Sequence, residues 1–159
     1  MRTALISGSY DPIHLGHLDI IRRAACMYDE VTVAVAVNLT KNAMFSVDER
    51  IRMVEDAVRD IPNVKVDRID CLRSDYVNRN RFTADVRSLR NGTDLDYEMS
   101  MAQAFADLYK ETETVFLMTD PALSYISSSY VRQVLSLGGD VSKWIAPVTR
   151  KYINDLHKF

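Results

Sequence analysis

The chain has 159 residues, 47% hydrophobic and 26% charged, with a formal net charge of −2. That length suits one core, which at this size buries roughly 70% of the surface an unfolded chain exposes, and it excludes two full domains. The balanced charge lacks the basic excess of a general nucleic-acid binder, and the longest apolar run, Val33–Val37, is far short of the roughly 20 residues of a membrane-spanning helix.

Thr3–Ser7 reads as a short apolar strand ended by Gly8, and Leu15–Met27 as a helix with Leu18, Ile21 and Ala25 on one face. Val31–Val37 (VTVAVAV) has the composition of a strand buried on both faces. Ser46 and Glu49 form a capping box. It opens a helix with Ile51, Val54, Val58 and Ile61 on one side, stopped by Pro62 and Asn63. Val64–Val66 is the next strand, Arg73–Arg79 a short helix, and Ala84–Leu89 a strand. Asp94–Glu111 is helical and apolar on two sides: Leu95, Met99, Ala102 and Ala106 form one stripe, and Tyr97, Met101, Phe105 and Leu108 the other. Such a helix is deeply buried or packed on another subunit, and the subunit contact is the favoured reading. Val115–Met118 is a strand, Ser128–Leu137 a helix closed by Gly138 and Gly139, and Pro147 opens a last helix to Leu156. This order predicts a Rossmann-like, doubly wound α/β fold: a parallel five-stranded sheet with helices on both faces, one domain over 1–159, with C-terminal helices from about 128. Ligands of such sheets bind at the C-terminal strand ends where the strand order reverses.

Four clusters fall at that edge. Gly8-Ser9-Tyr10-Asp11-Pro12-Ile13-His14-Leu15-Gly16-His17 joins the first strand to the first helix, and places His17 in the helix's first turn as a donor for a phosphate oxygen. An isolated H-x-G-H is as often two ordinary surface histidines, but its place between strand and helix favours a site. Ile126-Ser127-Ser128-Ser129-Tyr130-Val131-Arg132 starts a helix with three hydroxyls, a phosphate cradle, where a lone serine would be only a cap. Arg87-Ser88-Leu89-Arg90 sets two guanidiniums at a strand end, suited to phosphate oxygens. Lys41 lies in the loop after the second strand, where most lysines are simply solvated. Asp94, Tyr97 and Glu98 follow the arginines, and read by themselves as a charged first turn. No Ser-His-Asp order, zinc cluster or Walker A loop is present, so the set of donors points to phosphoryl-group transfer by positioning and electrostatics. Cys26 and Cys71 lack C-x-x-C spacing and are expected as buried, inert thiols. The opening MRTALISGSYDP lacks a secretory pattern, so a cytoplasmic location is expected.

These residues resemble the nucleotidyltransferase superfamily marked by (H/T)-x-G-H and I-S-S-S/T-x-x-R. Within it the chain is similar to the bacterial phosphopantetheine adenylyltransferase family along nearly its whole length. The matching segments are G-S-Y-D-P-I-H-L-G-H, K-N-A-M-F-S-V-D-E-R, R-S-L-R-N-G-T-D-L-D-Y-E-M and S-Y-I-S-S-S-Y-V-R. The resemblance implies adenylyl transfer from ATP to 4′-phosphopantetheine with Mg²⁺, giving dephospho-coenzyme A and pyrophosphate, in a homohexamer. Coenzyme A or its dephospho form would act as inhibitor or product. By position it implies a transition-state role for His17, with Lys41 and Arg90 completing the catalytic set. Ser9, Tyr10, His17, Ser88, Leu89, Arg90, Glu98 and the run Leu123, Ser124, Tyr125, Ile126, Ser127, Ser128, Ser129 would bind ATP. Ser9, Lys41, Leu72, Arg73 and Arg87 would bind the acceptor. No protein metal ligands are implied. The sequence departs from the family pattern at His14 (usually Thr), Ser9 (Thr), Ser88 (Gly), Leu123 (Trp), Arg73 (apolar) and Asp85 (apolar). The alternatives are a superfamily member acting on nicotinate mononucleotide or glycerol phosphate, and a non-catalytic nucleotide- or coenzyme-A-binding module.

Overall fold

The computed structural model describes residues 1–37, 43–109 and 111–156. Five strands, β1 (Thr3–Gly8), β2 (Glu30–Ala36), β3 (Val64–Ile69), β4 (Ala84–Leu89) and β5 (Glu113–Met118), form one parallel sheet in the order β3-β2-β1-β4-β5. The chain winds outward from β1 to β3, returns to the other side of β1, and winds outward again. The reversal therefore lies between β1 and β4, and their C-terminal ends open a crevice there.

Right-handed crossovers sort the helices by face. Helices α1 (Leu15–Met27), α2 (Val47–Val58), α5 (Ser128–Ser136) and α6 (Pro147–Asp155) share one core with Ala4 and Ile6 of β1, with Val31, Val33 and Val35 of β2, and with Val86 of β4. On the opposite face α3 (Arg73–Asn80) packs Tyr76 and Val77 on Leu5, Ala34 and Ile69. That both parities of β1 and β2 are buried explains why VTVAVAV has no polar alternation. Helix α4 (Gly92–Ala106) also follows β4 but has no fully buried residue.

The elements follow the sequence closely, with three differences. The long helix stops at Ala106, short of the expected Glu111. In α2 the buried stripe is Arg50, Met53, Val54, Ala57 and Val58, rotated by about one position from the expected Ile51 and Ile61. Gly138, at φ 72°, ends α5 as foreseen, in the left-handed region where glycine has no steric cost. Cys26 and Cys71 are exposed, against the expectation of buried thiols. Cys26 lies on the outer side of α1, and Cys71 in the connection between β3 and α3, so neither meets the core. Among the described residues no helix is long and apolar enough to cross a membrane.

Candidate active site

A cavity of about 440 Å³ opens at the crevice between β1 and β4. Its walls come from the turn after β1 (Ser9, Asp11), the start of α1 (His14, Gly16, His17), the end of β4 (Ser88, Arg90), the first turns of α4 (Asp94, Glu98) and the start of α5 (Ile126 to Ser129, with Arg132). His14 and His17, Ser88 and Arg90, and Ser127 to Ser129 with Arg132 thus meet in one place.

His17 sits in the first turn of α1, as its spacing predicts. Its ring stacks on His14 at 3.7 Å between centroids and makes a T-shaped contact with Tyr10 at 4.9 Å. The His14 backbone N–H donates to His17 Nδ1 at 3.2 Å. A neutral imidazole that accepts at Nδ1 carries its proton on Nε2, which fixes His17 as a donor. Burial, then the neighbouring His14 and Arg90, hold its pKa well below 6.5, which favours the neutral ring. His14 is lowered to about 4 by burial and by Arg90. Gly16 has a steric reason: a Cβ there would lie 3.1 Å from His14 Cε1 and 3.2 Å from Nδ1. The first turn of α1 is less open than its sequence suggests, because Leu15 N–H already donates to Trp144 O at 2.8 Å.

The two arginines behave differently. Arg90 is held by Asp94, with Nε to Oδ2 at 2.8 Å and NH2 to Oδ1 at 3.0 Å, while its backbone N–H donates to Oδ2 at 3.0 Å. Its remaining nitrogen edge is left for the cavity. Arg87 turns away into a second, smaller cavity lined also by Tyr10, His17 and Ser88. Its Nε and NH2 donate to Glu98 at 2.8 and 3.1 Å, and NH1 to Ser7 O and Oγ at 3.1 and 3.2 Å. The hydroxyls of Ser127, Ser128 and Ser129 each have a protein partner: Ser127 Oγ caps Tyr130 N–H at 3.2 Å, Ser128 Oγ donates to Pro12 O at 3.0 Å, and Ser129 Oγ accepts from Arg132 at 3.2 Å. The plain cap is therefore realised at Ser127.

Several expected residues lie elsewhere. Leu89 is buried in the sheet, Tyr125 and Leu72 are exposed, and Ser124 bonds Pro121 O at 3.0 Å. Leu123, Ser124, Tyr125, Leu72 and Arg73 line neither cavity. Lys41 lies outside the described residues. Two departures from the family pattern prove to be partners: Arg73 NH2 reaches Asp85 Oδ2 at 3.0 Å, and Tyr109 hydroxyl bonds both, at 3.0 Å from Arg73 Nε and 2.6 Å from Asp85 Oδ2. Arg73 also lies over the Phe105 ring at 4.5 Å. Asp11, Arg50, Asp94 and Thr119 line the cavity and are not among the ligands expected from the sequence. Arg50 did leave a signal, since it stands three, four, seven and eight positions before Met53, Val54, Ala57 and Val58, a charge on an apolar stripe. Among the described residues no group of three or more His, Cys, Asp or Glu is placed to hold a metal ion.

The sequence profile of the cytidylyltransferase-like family matches residues 5–134. A phosphopantetheine adenylyltransferase of Clostridium perfringens (strain SM101 / Type A) is 40% identical over 99% of this chain and 94% of its own length. Enzymes of the same name from Lachnoclostridium phytofermentans (43% identity, 91% and 89% covered) and Caldanaerobacter subterraneus subsp. tengcongensis (38%, 99% and 99%) are also similar. A solved structure named "Putative Nicotinate-nucleotide Adenylyltransferase" from Vibrio parahaemolyticus shares the fold, with a TM-score of 0.66 at 17% identity over 98% of this chain and 93% of that one.

Proposed function

The chain belongs to the phosphopantetheine adenylyltransferase family of the cytidylyltransferase-like proteins, and from that premise we propose that it transfers the adenylyl group of ATP to 4′-phosphopantetheine, releasing pyrophosphate and dephospho-coenzyme A. The observation that carries this reading is the meeting of the His17 donor, the Arg90 guanidinium and the Ser127–Ser129 helix start in one cavity at the switch point of the sheet.

The acceptor's phosphate oxygen is the nucleophile, and with a second pKa near about 6 it is largely anionic at neutral pH, so no general base is required. It attacks the α-phosphorus of ATP in line, the bond to the bridging oxygen breaks, and pyrophosphate leaves. His17 Nε2–H donates to the α-phosphate oxygen as charge builds on it. A fixed neutral donor stabilises that charge without reorganising. Arg90 and the α5 N-terminus take the nucleotide's phosphates. Ser9, Ser88, Glu98 and the segment from Ile126 to Ser129 complete the nucleotide's surroundings, and Lys41 and Arg87 the acceptor's. Mg²⁺ fits here as an ion carried by the triphosphate, since it keeps several waters and favours phosphate oxygens. Asp94 and Glu98 each hold an arginine, which leaves that role to the nucleotide. The ion's contribution is to neutralise charge on the leaving pyrophosphate. The product and its 3′-phosphorylated form, coenzyme A, retain both halves of the bound substrates and are the expected inhibitors. A cytoplasmic homohexamer is the expected working form, and the exposed apolar faces of α4 support association.

Pyrophosphate release from ATP and Mg²⁺ tests the reading, with 4′-phosphopantetheine run beside nicotinate mononucleotide and glycerol 3-phosphate. Release with phosphopantetheine alone is expected. Release with another acceptor would keep the phosphate chemistry and overturn the substrate. His17→Ala is expected to lower kcat by about 100-fold or more with a smaller effect on ATP binding, as loss of a transition-state donor does. An unchanged rate would remove His17 from the mechanism.

A further inference from the structure

Two charged side chains in the cavity wall are nearly inaccessible to solvent. Asp11 and Arg50 are each 5% exposed, which charged groups tolerate only when paired and hydrogen-bonded. Arg50, in the first turn of α2, donates from NH1 to Ser9 O at 2.6 Å and Ala36 O at 3.2 Å, and from Nε to Phe45 O at 3.2 Å. Those carbonyls belong to the turn after β1, the last residue of β2, and the residue before the α2 cap. Asp11 ties the same region from the other side. Its Oδ1 accepts from Phe45 N–H and its Oδ2 from Met44 N–H, both at 3.0 Å. Arg132 of α5 donates to Asp11 O at 2.7 Å and lies 3.6 Å from Oδ2.

Between the two residues this clamp holds lies Tyr10, with φ of 47°. A non-glycine residue keeps that left-handed conformation only where its surroundings over-determine it. The Tyr10 ring is buried, its hydroxyl donates to Ile6 O at 3.0 Å, and it makes a T-shaped contact with the His17 ring. A continuous chain of contacts therefore runs from Arg50 through Ser9 and Tyr10 to His17.

We propose that Arg50 and Asp11 are positioning residues for adenylyl transfer: they hold the strained Tyr10 turn, and through the Tyr10 ring they fix the His17 imidazole over the reacting phosphate. This rests on the role given to His17 above. A purely structural clamp would lower stability and leave the folded enzyme's rate intact. A positioning clamp lowers the rate itself, because a catalytic group displaced by about 1 Å can cost roughly 100-fold.

Arg50→Lys and Asp11→Asn separate these cases. Lysine keeps the charge opposite Asp11, but its single ammonium cannot span the carbonyls that a guanidinium fork reaches from two nitrogens. Asparagine keeps the size of Asp11 but turns a donor toward one of the two N–H groups. Both variants are expected to fold by circular dichroism and to lose about 10- to 100-fold in kcat, with the KM for ATP within about threefold of wild type. In ATP-free protein the ¹⁵N signals of His17 are expected to leave the Nε2–H pattern. A kcat per folded molecule within about twofold of wild type would overturn the proposal. So would a loss of rate with the His17 signals unchanged, or an effect on KM alone. Should neither variant fold, Tyr10→Leu reads the same link from its other end. Removing the ring must shift the His17 signals in the ATP-free state, and unshifted signals would overturn the proposal. Wild-type protein that releases no pyrophosphate would retire the functional reading, while the ATP-free spectra would still decide whether the clamp sets the ring.

Discussion

At the scale of single residues, the site is a set of donors kept neutral or kept apart. His14 is the clearest case. Its pKa lies near 4 in the fold and near 6.5 when exposed, so the fold favours the neutral ring. The unfolded chain binds the extra proton first as the pH falls, so this contribution is complete above about pH 6.5 and declines toward pH 4. The difference corresponds to roughly 3 kcal/mol, and His17 acts in the same direction. Urea unfolding of wild type is expected to weaken steeply between pH 6.5 and 4.5, and His14→Gln to flatten that slope; an unaltered slope would show that His14 does not carry it. Arg87 gives a second test. Glu98 occupies the two nitrogens with which a guanidinium would grip a phosphate. Glu98→Gln is expected to lower the KM for the acceptor severalfold by weakening that competition. A raised KM would mean that Glu98 orients Arg87 for the acceptor.

At the scale of elements, the sequence was most legible where one force acts alone. The Ser46–Glu49 capping box forms reciprocally, with N–H to oxygen distances of 2.7 and 3.3 Å, because both partners lie within one turn. The stripe of α2 departs from its hydrophobic pattern where two forces compete: Arg50 occupies the buried face because three backbone carbonyls satisfy it, and a hydrophobic count cannot see them. Arg73 and Asp85 are the same lesson at longer range. Each looks out of place in its own segment, yet α3 and β4 bring them to 3.0 Å. Asp85 is fully buried, so Arg73→Leu alone leaves a carboxylate without its cation and is expected to cost roughly 3–5 kcal/mol. The double variant Arg73→Leu, Asp85→Leu is expected to recover most of it in thermal or urea melts. Additive losses would refute the pairing.

At the scale of the whole molecule, α4 stands out. It carries the carboxylates that hold both arginines, yet Leu95, Tyr97 and Met99 on it are 37%, 65% and 43% exposed. A helix apolar on two sides with no buried residue needs a partner surface, and further copies of the chain would supply it. Light scattering is expected to give a mass of six chains. Leu95→Glu with Met99→Glu is expected to give smaller species, and an unchanged hexamer would place the interface elsewhere. The sequence by itself determined the strands and helices, the sheet that their alternation requires, and the donor motifs at its edge. These follow from local periodicity, capping and chain connectivity, which act over a few residues. Only the tertiary structure decided that Arg90 opens to the cavity while Arg87 is sealed by Glu98, that Asp11 and Arg50 clamp the turn beneath His17, and that Arg73 answers Asp85. Those outcomes depend on which side chains distant segments bring within hydrogen-bonding reach, a matter of a few ångströms that no pattern along the chain encodes.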